Sequence, residues 1–147
     1  MRMKAASKPL KDQSLYVRLE RQDSELLRAF ARQRQTPPRT LGSRYIVEGL
    51  RRDRFSGIDF RDTALGRTAF LAGSRLPVWM VVEVIREHGG SVPNAARHFD
   101  RPAWQIQAAL EYAQAFPEEL ELALAARNAV SPADLRRLLP GLTGGDD

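Results

Sequence analysis

The sequence predicts a mainly helical protein with short β-strands: an N-terminal strand–helix–helix module, then a small helix-turn-helix-like domain with a short β-hairpin. One segment near the N-terminus alternates apolar and polar residues, and the segments after it place apolar residues at helical spacing. The second half contains short apolar segments separated by Gly and Pro. The chain has 147 residues, of which 43% are hydrophobic, and it is long enough to form one compact domain or two very small ones.

Composition limits the possible classes of function. Cysteine is absent, which excludes disulfides, thiolate metal sites and cysteine nucleophiles, and which fits a reducing compartment. The longest apolar run, residues 78–82, is too short to span a bilayer, and the basic N-terminus leads into no apolar signal-peptide core. We therefore expect a cytoplasmic protein with no membrane partner.

Charge is distributed unevenly along the chain. The net charge is +5, but residues 1–54 carry fourteen Lys and Arg against six Asp and Glu, whereas residues 55–147 carry nine against twelve. A basic N-terminus is either a solvated, solubilising face or a surface for a polyanion. The elements predicted along the chain decide between these two alternatives.

Residues 13–20 are the predicted N-terminal strand. Its apolar face holds Leu15, Val17 and Leu19, and its outward face holds Ser14, Tyr16 and Arg18. No second strand follows within hairpin reach, so the strand needs a partner strand from a second copy of the chain. Two copies paired antiparallel around a two-fold axis would form a ribbon that fits the DNA major groove.

Two helices are predicted after this strand. The first opens at a plausible Asp23 cap and stops before Pro37, and the second runs from near Thr40 to about Arg54. With the basic arm over residues 1–12, this order resembles the ribbon-helix-helix family of bacterial repressors and antitoxins, whose dimers bind operator DNA.

The resemblance implies which residues contact DNA. Outward strand residues would contact base edges, with Arg18 foremost; the start of the second helix would hold a phosphate; and the lysines of the arm would add salt-sensitive attraction. The predicted DNA-binding residues are Ser14, Tyr16, Arg18, Arg39, Thr40, Ser43, Lys8 and Lys11. The structural alternatives are an exposed strand face, an ordinary helix cap and a disordered arm.

A second domain is predicted over residues 66–116, after a linker over residues 55–65. An apolar helix begins at Pro77, Ser91 caps a brief helix, and a third helix starts near Pro102. Short helices joined by a tight turn are typical of helix-turn-helix proteins.

The strings GRTAFLAGSRLPVW and AALEYA in this domain resemble a widespread prokaryotic domain of uncharacterised function that accompanies, or serves as, antitoxins of the VapB kind. The matching residues of the first string are Gly66, Arg67, Gly73, Ser74, Arg75, Leu76, Pro77 and Val78. The chain departs from that pattern at Thr68, where the family often has proline. It also has Trp104 and Gln105 where the family often has acids, which makes this helix less repulsive to phosphate.

Residues 117–147 form an acidic tail with two short amphipathic stretches. The resemblance implies that this tail binds a cognate toxin, a PIN-domain ribonuclease, and that an arginine such as Arg127, Arg136 or Arg137 enters the acidic metal site of the toxin. The predicted toxin-binding residues are Phe116, Leu120, Leu124, Arg127, Leu135, Arg136, Leu138 and Leu139.

Other chemistry-bearing residues form no recognisable active site. We expect Trp79 in a core, while Trp104 is either a core residue or a stacking surface for nucleic acid. His88 and His98 lack the cysteines or clustered carboxylates of a metal site, so we expect no metal and no cofactor. Without a phosphate-cradling glycine loop or a nucleophile elbow, the chain is not expected to be an enzyme.

These observations predict a type II antitoxin of a VapBC-like toxin–antitoxin system. It would act as a homodimer joined through the N-terminal strand, or as a higher oligomer, and would repress its own operon. The alternative is a stand-alone ribbon-helix-helix transcriptional regulator without a toxin partner. A structural or RNA-binding adaptor is a third class.

Overall fold

A computed structural model of the protein describes residues 13–130 together with residues 133 and 134. The described residues form six helices and one antiparallel pair of strands, in two compact units, of which the first ends at Ser43 and the second begins at Arg44. The elements are α1 (Arg21–Gln33), α2 (Pro38–Arg54), β1 (Ile58–Thr63), β2 (Gly66–Leu71), α3 (Val78–Glu87), α4 (Val92–Phe99), α5 (Ala103–Ala115) and α6 (Pro117–Ala129). The prediction of a mainly helical protein is confirmed.

The predicted N-terminal ribbon-helix-helix strand is wrong. Residues 13–20 have no regular secondary structure, and the two strands of the described chain form a hairpin between α2 and α3 instead. The side chains that would face the core of a ribbon are exposed, with Leu15 at 78% and Val17 at 48%. Alternation defines two faces of a strand, but a strand also needs hydrogen-bond partners for its backbone, and no strand in the described chain pairs with this segment.

The first unit contains α1 and the start of α2. Helix α1 begins at Arg21, before the predicted Asp23 cap, and its N-cap Glu20 makes no side-chain capping bond. Helix α2 begins at Pro38, before Thr40, because proline suits the first helical position, where a backbone N–H would have no helical partner. The helices approach closely at Gly42, where a Cβ would lie 3.5 Å from Cδ2 of Leu27.

The second unit opens with the end of α2 and the hairpin. Strand β1 lies inside the segment that the sequence predicted as a linker. The strand was not predicted because its alternation is short: only Ile58 and Phe60 are buried in the core. Ile58 pairs with Leu71, the last residue of β2. The Thr63 hydroxyl donates a 2.9 Å hydrogen bond to the Gly66 carbonyl, which closes the turn between the strands.

One apolar core holds the hairpin against helices α3 to α6. Leu71, Val81 and Ile106 are its most completely buried large side chains, and Trp79 packs against it, as predicted. Its buried members are Phe55, Ile58, Phe60, Leu71, Val78, Val81, Val82, Val84, Ile85, Ala95, Ala96, Ile106, Ala109, Tyr112, Ala113 and Leu120. The core therefore fixes the positions of α4 and α5, which carry the candidate site.

Polar contacts tie the end of α2 to the hairpin. Glu48 is 4% exposed, and its carboxylate accepts hydrogen bonds of 2.6 and 2.7 Å from Nε and Nη2 of Arg67 on β2. Arg52 also lies 3.7 Å from Glu48, and it lies 2.9 Å from Asp59. A buried carboxylate requires such partners, because its desolvation is otherwise costly.

A second network ties α2 to α5 and α6. Arg51 donates to the Tyr112 hydroxyl at 2.9 Å and also to Glu119, and its guanidinium lies 3.9 Å from the centre of the Phe116 ring. Tyr112 in turn donates to Glu119 at 2.7 Å. Burial and this hydrogen bond to Glu119 raise the pKa of the Tyr112 hydroxyl well above its ordinary value, so the network holds the tyrosine in its neutral form.

Candidate nucleic-acid interface

Helices α4 and α5 are joined by a short turn that the backbone fixes tightly. Ser91 caps α4, as predicted, by accepting a 3.3 Å hydrogen bond from the Asn94 N–H. At the other end, Asp100 adopts a left-handed conformation with φ of 51°, and the Arg101 N–H donates to the Ala96 carbonyl at 3.0 Å. The left-handed Asp100 and the hydrogen bond of Arg101 fix the direction in which the chain enters α5.

The first turn of α5 presents a large aromatic side chain. Trp104 is 58% exposed, yet its ring rests against the backbone of Gly57, where a Cβ would lie 3.0 Å from Cζ3. Gly57 has φ of +88°, so both its conformation and this close approach require glycine. In the residue after Trp104, Oε1 of Gln105 is buried without a hydrogen-bond partner among the described residues. Trp104 is thus held in place while much of its surface stays accessible.

Eleven arginines of the second unit lie in the part of the chain that the structure describes. Six of them lie within 4.0 Å of a carboxylate: Arg44, Arg51, Arg52, Arg67, Arg86 and Arg127. Five others in the described part of this unit have no such neighbour. One of these, Arg54, lies over the Phe55 ring at 5.0 Å.

The other four unpaired arginines line two clefts that share Arg101. A cleft of about 560 Å³ is lined by Arg61, Arg75 and Arg101, and a cleft of about 370 Å³ by Arg97, Asp100 and Arg101. We call this surface the arginine clefts. Asp100 is the acidic residue in their lining. The surface is therefore strongly basic at the turn between α4 and α5.

Sequence reasoning missed the arginine clefts. Their arginines come from β1, from the loop between β2 and α3, from α4 and from the turn after α4. No spacing along the chain groups them, and in the sequence Arg75 stands out only as part of a family pattern. A useful signal would have been that α4 and the following turn carry Arg97 and Arg101 with one acidic residue between them.

The DNA-binding residues predicted from the sequence belong to the first unit. Tyr16 is 93% exposed, and Ser14 and Arg18 are exposed in the same irregular segment. Near the start of α2, Arg39, Thr40 and Ser43 are also exposed. Because α2 begins at Pro38, the N–H groups of its first turn that lack a helical partner belong to Arg39 and Thr40, and the Leu41 N–H donates to the Pro37 carbonyl at 3.0 Å. Lys8 and Lys11 lie outside the described residues.

The four predicted toxin-binding residues that the structure describes make contacts within the second unit. Leu120 is buried in the core, and Phe116 and Leu124 pack against it. Arg127 donates to both oxygens of Glu83, at 2.8 and 3.0 Å, and lies 5.4 Å from the Trp79 ring. The remaining four, Leu135, Arg136, Leu138 and Leu139, lie outside the described residues.

The two histidines lie close together near the ends of α3 and α4. The ring centroids of His88 and His98 are 5.6 Å apart. Among the described residues, no three His, Cys, Asp or Glu side chains are grouped so that they could hold a metal ion.

Comparisons of the chain with protein-family models, with curated proteins and with solved structures find no match. None of the helices that the structure describes has both the length and the apolar content needed to cross a bilayer. Function is therefore inferred from the arginine clefts and from α5.

Proposed function

We propose that the protein binds double-stranded DNA through α5 and the arginine clefts. The observation that supports this most strongly is the concentration of four unpaired arginines around one turn. Unpaired like charges repel one another, so gathering them on one surface favours binding of a polyanion. Duplex DNA carries about one negative charge per 1.7 Å of its axis, which suits several guanidinium groups at once.

Helix α5 is suited to contact the bases. In helix-turn-helix proteins, residues at the start of the second helix contact base edges in the major groove. The first turn of α5 has no acidic residue and exposes Ala103 and Trp104. Apolar side chains of this kind contact the thymine methyl group. Phosphate contacts at the clefts would orient the protein, and α5 would supply the sequence preference.

The first unit is proposed to add two further contributions. Its exposed Arg18 and the lysines before it would provide sequence-independent attraction to phosphates. Its exposed apolar side chains, Leu15, Val17, Leu26 and Phe30, are suited to contact a second copy of the chain. A dimer would place two copies of α5 on one DNA site and would favour a palindromic operator.

Tryptophan fluorescence tests the DNA-binding proposal and its location together. The chain has two tryptophans. Trp79→Phe leaves Trp104 as the reporter on α5, and Trp104→Phe leaves the core residue Trp79 as the matched control. Duplex DNA from the protein's own promoter should quench Trp104 emission because the ring becomes covered, and should leave Trp79 emission unchanged. Anisotropy of labelled duplex measures binding in the same samples. Binding without a response of Trp104 would place the interface elsewhere, and no binding would end the proposal.

We further propose that this DNA-binding protein is an antitoxin that neutralises a PIN-domain ribonuclease. The exposed Glu118 in the first turn of α6 and the exposed Leu122, at 71%, support a basic protein partner. Co-expression with the product of the adjoining reading frame should yield a copurifying complex and should relieve growth inhibition. A Leu122→Glu variant should weaken the complex, and Leu122→Met should not. If neither copurification nor relief is observed, the antitoxin proposal fails while the DNA-binding proposal stands.

A further inference from the structure

We propose that the larger arginine cleft is a binding site for a phosphate group. Its basic side chains, Arg61, Arg75 and Arg101, come from three separate segments and line one cleft of about 560 Å³. The source of the phosphate, a DNA backbone or a free phosphate ester, is a separate question. Assigning it to DNA rests on the proposed function, whereas phosphate binding itself does not.

The charges of the cleft support an anionic ligand. None of the three guanidinium groups has a carboxylate within 4.0 Å in the described part of the chain, while Arg67, on the same hairpin as Arg61, is paired with both Glu48 and Asp62. The Arg61 guanidinium lies over the Phe70 ring, 4.9 Å from its centre. Guanidinium groups form bidentate, charge-assisted hydrogen bonds with phosphate oxygens.

The nearby acidic groups offset these charges only in part, since Asp59 attracts Arg61 but is hydrogen-bonded to other groups. Asp59, on the same strand as Arg61, is hydrogen-bonded to Arg52 and to the Phe60 N–H, at 3.0 and 2.8 Å. Asp100 lines the smaller cleft with Arg97 and Arg101 but lies within 4.0 Å of neither guanidinium. The larger cleft thus retains a net positive charge.

Local hydrogen bonds hold the backbone of two of the segments that line the cleft. Ser74 is 6% exposed; its hydroxyl donates to the Leu71 carbonyl at 2.8 Å and accepts from the Leu76 N–H at 3.1 Å. These bonds fix the loop that carries Arg75. The Arg101 N–H donates to the Ala96 carbonyl, which holds the backbone of the turn that carries Arg101. A rigid site loses less entropy on binding.

The remaining walls of the cleft favour an esterified phosphate. Leu76 and Phe99 contribute apolar surface beside the guanidinium groups. The cleft, with a volume of about 560 Å³, also leaves room beside a lone phosphate. A sugar attached to the phosphate could contact the apolar wall, as in a nucleotide or in the DNA backbone.

Titration of the full chain with inorganic phosphate tests this site directly. The readout is the Nε–Hε NMR signals of the arginines, with sodium chloride at equal ionic strength as the reference. Phosphate should shift the signals of Arg61, Arg75 and Arg101, and should not shift that of Arg86, which is paired with Glu121. Arg75→Gln and Arg101→Gln should each weaken phosphate binding about tenfold, since each removes one charge-assisted hydrogen-bonding group. Arg86→Gln serves as the matched control, and circular dichroism verifies the fold of each variant.

The outcomes separate the two possible sources of phosphate. If duplex DNA competes with inorganic phosphate and reverses the phosphate-specific shifts, the cleft binds a phosphate of the DNA backbone. Shifts that occur without DNA binding support a free phosphate ester, and then the proposed function fails while the site stands. If chloride shifts the same signals equally, or if both cleft variants bind phosphate like the wild type, the proposed site is overturned even where DNA binds.

Discussion

Replacing Arg67 by alanine is expected to lower the free energy of unfolding by about 3 kcal/mol, because the Glu48 carboxylate would remain buried without its main partner. Glu48 is 4% exposed and takes both of its short hydrogen bonds from Arg67. Arg52, at 3.7 Å, offers partial compensation, which places the expected loss at the lower end for a broken buried ion pair. Urea denaturation followed by circular dichroism measures the change.

Two variants show whether burial of Glu48 causes this loss. Arg86→Ala removes an exposed pair with Glu121, at 3.8 Å, and should cost less than about 1 kcal/mol. The double variant Glu48→Gln with Arg67→Ala removes the stranded charge and should recover part of the stability that Arg67→Ala alone removes. Equal losses for Arg67→Ala and Arg86→Ala would contradict the role assigned to Glu48.

Local signals predicted much of the second unit. Ser91 marks the start of α4 through the hydrogen bond that it accepts from the Asn94 N–H, and the structure has the helix start there. Strand β1 was missed because it is short and its alternation extends over Ile58 and Phe60 alone. The N-terminal strand was wrong for a different reason: its pattern was clear, but it carries no information about a partner strand.

The contacts of the candidate residues were harder to predict than the elements themselves. Helical spacing marked an apolar stripe through Leu120 and Leu124 but did not tell whether a toxin or the protein's own core covers it; the core does. The arginine clefts, in contrast, have no common pattern in the sequence. Four basic side chains that are unremarkable in sequence become a single surface because the hairpin and α4 pack on the same core.

Removal of the four cleft arginines should produce the largest effect on DNA binding. The variant replaces Arg61, Arg75, Arg97 and Arg101 by glutamine, which keeps most of the side-chain length and removes the charge. If each of these arginines neutralises one phosphate, the slope of log K against log salt concentration should become less negative by about 3 to 4. DNA affinity at moderate salt should fall by about a hundredfold or more.

A control with the same change of net charge separates the effect of phosphate contacts at the clefts from the effect of the net charge of the protein. Arg28, Arg32, Arg54 and Arg86 are exposed and lie outside the clefts, and their joint replacement by glutamine also removes four positive charges. This control should keep a salt dependence close to that of the wild type. Both variants should retain the helical circular dichroism of the parent.

The salt dependence of duplex binding, measured by anisotropy for the wild type and these two variants, tests the central claim most directly. A steep slope for the wild type and the control, with a shallow slope and weak binding for the cleft variant, is the expected result. Equal slopes for the two variants, or a wild-type protein that binds no duplex even at low salt, would contradict the assignment of DNA binding to the arginine clefts.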